Sequence, residues 1–391
     1  MIAEGAYSGL KVLDLGQGIA APYCAMLMAM HGAEVVKIEP IGGDWSRGLG
    51  TAYGDHTAMS AHYNRGKQSI ALDLKAPAAR DIAFELAKRA DILIENNRPG
   101  AMARLGFGYE ALAAVNPRLV YASISGFGQD GPYANLPCTD SVAQAYSGLV
   151  ALNRGEDGSP HRIGAIVIDT LTGLYAAQAL GVALYARERR GKGSRIAVSL
   201  AECGAAILGQ RLAEHVLENG SPRVLNVPTG SCRTQDGWVM IALIREADFQ
   251  RLAGALGRPE LAEDPRFASF ESRAANAAAI FDALRAAIVT ETTASCLEKL
   301  RAADVLADRI NGFDDWLADP HIVATGGAVA VAPGDMPRFK VPRTPGVSAE
   351  ADAALSPAPR IGEHGRAILA GLGLKAATQA RLAAERAVLL P

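Results

Sequence analysis

Asp169 closes the apolar run Ala165-Ile166-Val167-Ile168 and stands directly before a long helical pattern over residues 171–190. An aspartate there fits a helix N-cap, because its side-chain oxygen accepts a first-turn N–H. It also fits a reagent. The same helix N-terminus would hold the carboxylate ionised in a cleft, ready to attack a carbonyl such as a thioester and split acyl transfer into two covalent steps. A second constellation is Gly16-Gln17-Gly18-Ile19-Ala20-Ala21, which follows one strand and opens a helix, with Glu39 ending the next strand. This is close to the G-x-G-x-x-A turn with an acidic residue about twenty positions on, which binds dinucleotides. The physics is broader. Glycines permit a tight turn, and helix N-terminal N–H groups favour any phosphate, coenzyme A included. A tight turn with no ligand uses the same residues, and Pro22 suits either reading.

Other chemistries find no support in the pattern. The five cysteines (Cys24, Cys138, Cys203, Cys232, Cys296) are scattered and form no C-x-x-C, and the seven histidines form no H-x-x-x-H. We therefore expect no metal, no disulfide scaffold and a reducing, cytoplasmic setting. A net charge of −2 with 20% charged residues gives no footprint for nucleic acid or an anionic membrane. No uninterrupted apolar run approaches the ~18 residues of a membrane span. The start of the chain lacks the basic-then-apolar order of a signal peptide.

The elements that must position these residues alternate. Strands are expected over 10–15, 34–39, 69–74, 91–95, 119–124 and 195–200. Helices are expected over 20–30, 78–89 and 171–190, with a further one running to Asn219. Strands separated by helices imply an α/β fold with a parallel sheet covered on both faces. The 171–190 helix is apolar almost throughout and ends in a basic turn and Gly191, as a helix buried between layers or at a subunit interface would. Gly220–Pro228 reads as a linker. A hairpin arm at 234–244 and helices over 246–257, 273–290 and 294–302 then make a smaller α+β unit. Pro/Gly-rich strand-like segments lead from there to a helix over 363–372. The division is a first part of the large domain over 1–220, a small domain over 221–325, and a return segment over 326–391.

The blocks along the chain resemble the family III CoA-transferases (the CaiB/BaiF family, which includes formyl-CoA transferases and α-methylacyl-CoA racemases). Gly32-Ala33-Glu34-Val35-Val36-Lys37-Ile38-Glu39-Pro40 with Gly43-Asp44 and Arg47 resembles that family's GAEVIKIE-P…GD…R. Asn64-Arg65-Gly66-Lys67-Gln68-Ser69-Ile70, Leu72-Asp73-Leu74-Lys75, Glu95-Asn96-Asn97-Arg98-Pro99-Gly100 and Ser125-Gly126-Phe127-Gly128-Gln129-Asp130-Gly131-Pro132 follow in the family's order. Asp264-Pro265-Arg266-Phe267 and Gly362-Glu363-His364 fall where the family has DPRF and GEH. The likeness runs from about residue 8 to 372.

This resemblance implies a Rossmann-like large domain plus a small one, in an interlinked homodimer. It also implies coenzyme A as co-substrate, with no tightly bound cofactor, and acyl-CoA and small carboxylic acids as partners. CoA contacts are implied at Ile19, Ala20, Leu72, Lys75, Asn96, Asn97 and Arg104. Lys75, Arg98 and Arg104 stand at strand ends or loops able to meet CoA phosphates. Asp169-Thr170-Leu171-Thr172-Gly173 matches the block of the family's catalytic aspartate, so Asp169 is expected to carry the covalent chemistry.

A racemase on the same fold needs a second acid/base, and Thr139 and Gly230 stand where racemases place a histidine and a glutamate. The glycine-rich loop of oxalate-linked formyl-CoA transferases is also absent from 221–238, which argues against that substrate pair.

Overall fold

Continuous apolar runs become strands buried on both faces, and the amphipathic runs between them become covering helices. In the computed structural model, which describes residues 5–155, 157–220, 226–334 and 336–391, β1 (Lys11–Asp14) leads to α1 (Ala20–Met30) and β2 (Glu34–Glu39). Then come β3 (Lys67–Leu72), α2 (Pro77–Lys88), β4 (Ile92–Glu95), α3 (Tyr109–Val115), β5 (Val120–Ser125), α4 (Asp140–Tyr146), α5 (Val167–Arg190) and β6 (Ser194–Ser199). Further on lie β7 (Gly230–Arg233), β8 (Trp238–Ala242) and β9 (Leu306–Arg309). They are followed by β10 (Ala328–Val331), β11 (Phe339–Pro342) and β12 (Val388–Leu389). The chain forms two compact units, Met1–Gln210 with Ala324–Pro391, and Arg211–Val323.

The larger unit carries a seven-stranded sheet in the order β12-β3-β2-β1-β4-β5-β6. Its strands are parallel except β12, which returns antiparallel against β3 at the edge. Successive side chains alternate between faces. Leu13, Leu93 and Tyr121 therefore join α2 and α3 in one core, while Val12, Ile92, Ile94, Ala122 and Ile124 join α1 and α5 in the other. In α2, Pro77 sits at the first turn and Ala79, Ile82, Ala83 and Ala87 make the buried stripe. α1 is buried almost all round, as its AAPYCAMLMAM composition requires. Strand order reverses between β1 and β4, which opens a crevice at their carboxyl ends where ligands of doubly wound sheets bind.

α5 starts four residues earlier than its apolar pattern, because Asp169 and Thr170 are already helical. Ile168, Thr172, Gly173, Ala176, Leu180 and Leu184 are its buried face. The opposite face exposes Leu174, Tyr175, Val182 and Tyr185. By length and composition this helix is long and apolar enough to cross a membrane, although the inner face packs on the sheet. β3 lies two residues before its expected place, so that Asp73–Lys75 form a turn. The helix expected to run to Asn219 is broken into Leu200–Ala206 and Gly209–Leu217.

The smaller unit holds the antiparallel sheet β7-β8-β9 over a helical layer, with a core of Val239, Ile241, Phe249, Ile280 and Leu284. The hairpin begins at Gly230, before the expected arm, and turns at 234–237. The helix expected over 273–290 is interrupted at Asn276, which ends one helix and starts the next. Part of the expected linker, residues 221–225, lies outside the described residues.

Candidate active site

The turn after β1 is held from below by a buried charge network. Three of its N–H groups are taken by side chains. Gly16 N–H donates to Asp14 Oδ1 (2.8 Å), Gln17 N–H to Asn96 Oδ1 (2.9 Å) and Gly18 N–H to Asp44 Oδ1 (2.9 Å). Asn96 also donates to the Gln17 carbonyl at 2.7 Å, zipping β1 to β4 across the point where strand order reverses. Lys37 Nζ lies 2.9 Å from Asp44 and donates to the Gly16 carbonyl at 2.6 Å. Lys67 Nζ lies 2.8 Å from Asp14 and donates to Asn64 Oδ1 at 2.9 Å.

Burial alone would lower the Lys37 ammonium. The carboxylates of Asp14, Asp44 and Glu39 overcome it and raise its pKa. Burial dominates at Lys67, whose pKa falls to about 8. Both glycines are sterically required. A Cβ on Gly16 would come 2.3 Å from Ala21 Cβ, and Gly18 has φ +77° with the Trp45 ring where a Cβ would lie.

The glycine part of the turn is therefore occupied, and the N–H groups it could offer a phosphate are those of Ile19, Ala20 and Ala21 at the start of α1. Glu39 is equally occupied, paired with Arg47 through both oxygens and accepting from Ser69 and the Asp44 N–H. The dinucleotide reading thus loses its ribose-binding acid and the N–H groups of both glycines.

Asp169 sits on the same side of the sheet as α1. Gly173, one turn further along α5, lets the helices touch, since a Cβ there would lie 2.6 Å from the Ala20 carbonyl oxygen. Asp169 is third in the helix and is not its N-cap, which is Ile166. The capping is done by Asp140 from α4, whose Oδ1 accepts the N–H of Ile168 (2.6 Å) and of Asp169 (3.1 Å). Gln144 donates to the other Asp140 oxygen at 2.6 Å. The helix N–H groups expected to keep Asp169 ionised are thus spent on Asp140. Burial, and then the Asp140 charge, raise Asp169 to about 7. No cation lies within ion-pair distance of it among the described residues. Tyr63 meets Thr170 at 3.5 Å and stacks edge-on against Tyr23. Burial and the nearby Asp169 raise Cys138 to about 11, so it stays a thiol.

Residues 7–365 match CoA-transferase family III. The chain belongs to that family. An acetyl-CoA:oxalate CoA-transferase of Acetobacter aceti is 39% identical over 77% of this chain and 80% of its own. A succinyl-CoA–D-citramalate CoA-transferase of Chloroflexus aurantiacus is 34% identical over 97% of each. The crystal structure of a CaiB/BaiF family protein from Brucella suis superimposes with a TM-score of 0.83 at 34% identity, covering 95% of this chain and all of that one. This is an enzyme of the family III CoA-transferase type, with that family's mixed α/β fold.

The candidate contacts of this family III chain fall into groups. Leu72, Lys75 and Asn97 line one cavity of about 510 Å³ beside Gln17, Met102 and Arg386. Arg98 lines a neighbouring cavity of about 360 Å³. Arg104 is exposed at the end of a short helix, Ala101–Arg104. Asn96 is engaged with the glycine turn, and the side chains of Ile19 and Ala20 are buried at the start of α1. Asp169 is not among the residues lining the 510 Å³ cavity. Arg386 went unseen in the sequence because it reaches the site only through the return of β12, where the Ala387 carbonyl accepts the Asp73 N–H. Asp140 carried a helix-start signal, but nothing in its spacing shows that it caps a different helix.

Proposed function

We propose that the enzyme moves coenzyme A from an acyl-CoA thioester to a free carboxylic acid through a covalent intermediate on Asp169. The observation that carries this reading is a carboxyl at the start of α5, desolvated, without a cation and raised to about 7. Such a group ionises near neutral pH and is a far better nucleophile than a solvated, salt-bridged carboxylate. Ionised Asp169 attacks the thioester carbonyl, the C–S bond breaks, and a mixed anhydride and CoA thiolate result. The thiolate attacks the aspartyl carbonyl, expelling the donor acid as its carboxylate and leaving an aspartyl-CoA thioester. The incoming carboxylate attacks that thioester, releases the thiolate and forms a second anhydride. The thiolate then takes the new acyl group and frees Asp169. No proton is consumed overall.

The nucleotide end of CoA fits the cavity of Leu72, Lys75 and Asn97, with Arg98 and Arg104 as phosphate partners and the α1 start with Ile19 and Ala20 beside it. The named relatives handle oxalate, succinyl and D-citramalate groups, which supports a short dicarboxylic acid as substrate class. Racemisation lacks its second base, for Thr139 has no group that titrates near neutrality and a Cβ on Gly230 would meet Phe281 at 3.0 Å. We also infer a cytoplasmic homodimer. The exposed apolar face of α5 supports it, and light scattering at micromolar concentration should give twice the chain mass.

The deciding experiment incubates the protein with a panel of acyl-CoAs and free acids in D₂O and follows products by mass spectrometry. CoA exchange, a hydroxylamine- or borohydride-trapped adduct on Asp169 and no deuterium at the α-carbon are expected. Rapid α-deuterium wash-in with Asp169 unmodified would establish the racemase instead.

A further inference from the structure

Attack on a thioester carbonyl by Asp169 puts negative charge on the acyl oxygen. That charge is best met by a hydrogen-bond donor placed beside it in advance. A helix start ordinarily has N–H groups to spare for this, but those of Ile168 and Asp169 already donate to Asp140. Two neighbouring side chains are committed as well. Thr170 gives its hydroxyl hydrogen to the Ile166 carbonyl at 2.7 Å, and the Cys138 thiol points to the Thr139 carbonyl at 3.6 Å.

The Tyr63 hydroxyl is different. It meets Thr170 Oγ1 at 3.5 Å, the outer limit of a hydrogen bond, and has no other hydrogen-bond partner among the described residues. Because Thr170 donates elsewhere, Tyr63 is the donor in this weak contact, and rotation about its C–O bond can aim it at a better acceptor. Burial raises its pKa, the Thr170 contact opposes this, and the Asp169 and Asp140 carboxylates raise it further. The phenol therefore keeps its proton at neutral pH, within the field of the reagent.

The ring is also fixed in place. Tyr63 ends the helix Ala58–Tyr63, whose start is closed by a Thr57–Ser60 capping box. Asn64, just beyond, donates to the Ser60 carbonyl and accepts from Lys67. The Tyr63 ring stands edge-on to that of Tyr23 in α1, with centroids 5.6 Å apart. Tyr23 packs where α1 meets α5, since a Cβ on Gly173 would lie 2.9 Å from Tyr23 Cδ1. The hydroxyl is thus anchored through α1 and touches the residue next to Asp169.

We propose that Tyr63 is a catalytic residue whose hydroxyl donates a hydrogen bond to the acyl oxygen while Asp169 adds to the carbonyl. The proposal rests on Asp169 being the nucleophile. Tyr63 gives up no proton. Charge gathers on the acyl oxygen as the Asp169 oxygen–carbon bond forms, and the C=O bond is restored as the C–S bond breaks and CoA thiolate leaves.

The test follows acylation of Asp169 in a single turnover of the full-length protein, quenched and trapped with hydroxylamine. Acetyl-CoA and succinyl-CoA are the probes, and the faster donor is used. Tyr63→Phe keeps the ring and its packing on Tyr23. It should slow acylation about 10²-fold while CoA affinity and circular dichroism stay those of the parent. A monofluorotyrosine at position 63, a stronger donor of nearly the same size, should instead speed acylation about two- to threefold. The acid limb of the Tyr63→Phe profile should stay at about 7, because burial and Asp140 set the Asp169 pKa. Acylation of Tyr63→Phe at the parent's rate, or a fluorotyrosine enzyme no faster than the parent, would overturn the proposal. So would a limb moved to higher pH, which would make Tyr63 a positioning group for the carboxylate. Exchange by the parent without any Asp169 adduct would overturn the covalent reading itself, and this role with it.

Discussion

Two helix starts lie side by side at one end of the sheet and are built in opposite ways. At the start of α1, Asp14 and Asp44 accept the N–H groups of Gly16 and Gly18 while Lys37 and Lys67 neutralise them at short, direct distances. At the start of α5, Asp169 has neither a cation nor the helix N–H groups, which Asp140 has taken. The first arrangement fixes a backbone. The second leaves one carboxyl chemically unspent, and Gly173 against Ala20 sets the two starts beside each other. Glycines that look like a binding loop are here pinned by buried side chains, and the aspartate that looks like a cap is the candidate reagent.

Removing the reagent should produce the largest effect. Asp169→Asn is expected to lower CoA exchange by ~10³-fold or more while CoA affinity stays close to that of the parent. The same variant should be the more stable protein at pH 8. A folded pKa of about 7 against the ordinary aspartate value of 3.8 means that ionisation opposes folding, by a few kcal/mol at most. That cost is complete above pH 7, shrinks as pH falls through 7 and is gone below about 4, where the carboxyl is protonated in both states. Urea denaturation of both proteins at pH 8 and pH 4 reads the difference. An unchanged exchange rate, or equal stability at pH 8, would show that Asp169 is an ordinary surface acid.

Breaking the scaffold should cost stability. Asp44→Ala leaves the Lys37 ammonium buried beside fewer carboxylates and strips acceptors from the Gly18 and Ser46 N–H groups. A loss of about 3–5 kcal/mol in denaturation is expected. A loss below ~1 kcal/mol would mean that the network relaxes or hydrates, and the contrast between the two helix starts would fail.

The sheet was legible in the sequence because its strands are apolar runs with glycine or helical punctuation between them. α1 was legible to the residue because apolar side chains fill its whole surface between Gly18 and Gly32. Helix breaks at Asn276 and after Ala206 were not, since the apolar periodicity carries across both. Asp169 was legible as a position but not in its chemistry. Its protonation depends on Asp140, 29 residues earlier, and only packing of α4 on α5 brings them together. The side-chain acceptors of Gln17 and Gly18 were equally hidden, because Asp44 and Asn96 reach the turn from separate loops.

The finest test of the contrast changes only the charge at the second helix start. In Asp140→Asn the side-chain oxygen can still accept the Ile168 and Asp169 N–H groups, so the cap persists. The Gln144 bond is lost, at a cost of about 1 kcal/mol. What disappears is the negative charge that, after burial, holds Asp169 up. Asp169 should then ionise at lower pH, and with the ionised form as the proposed nucleophile, the acid limb of the kcat/KM profile should move below 7. The ratio of exchange at pH 6 to exchange at pH 8 should therefore rise, even if the plateau rate falls. A merely structural role for Asp140 would lower the rate at every pH and leave the limb in place, and a limb moving to higher pH would contradict the electrostatic assignment outright.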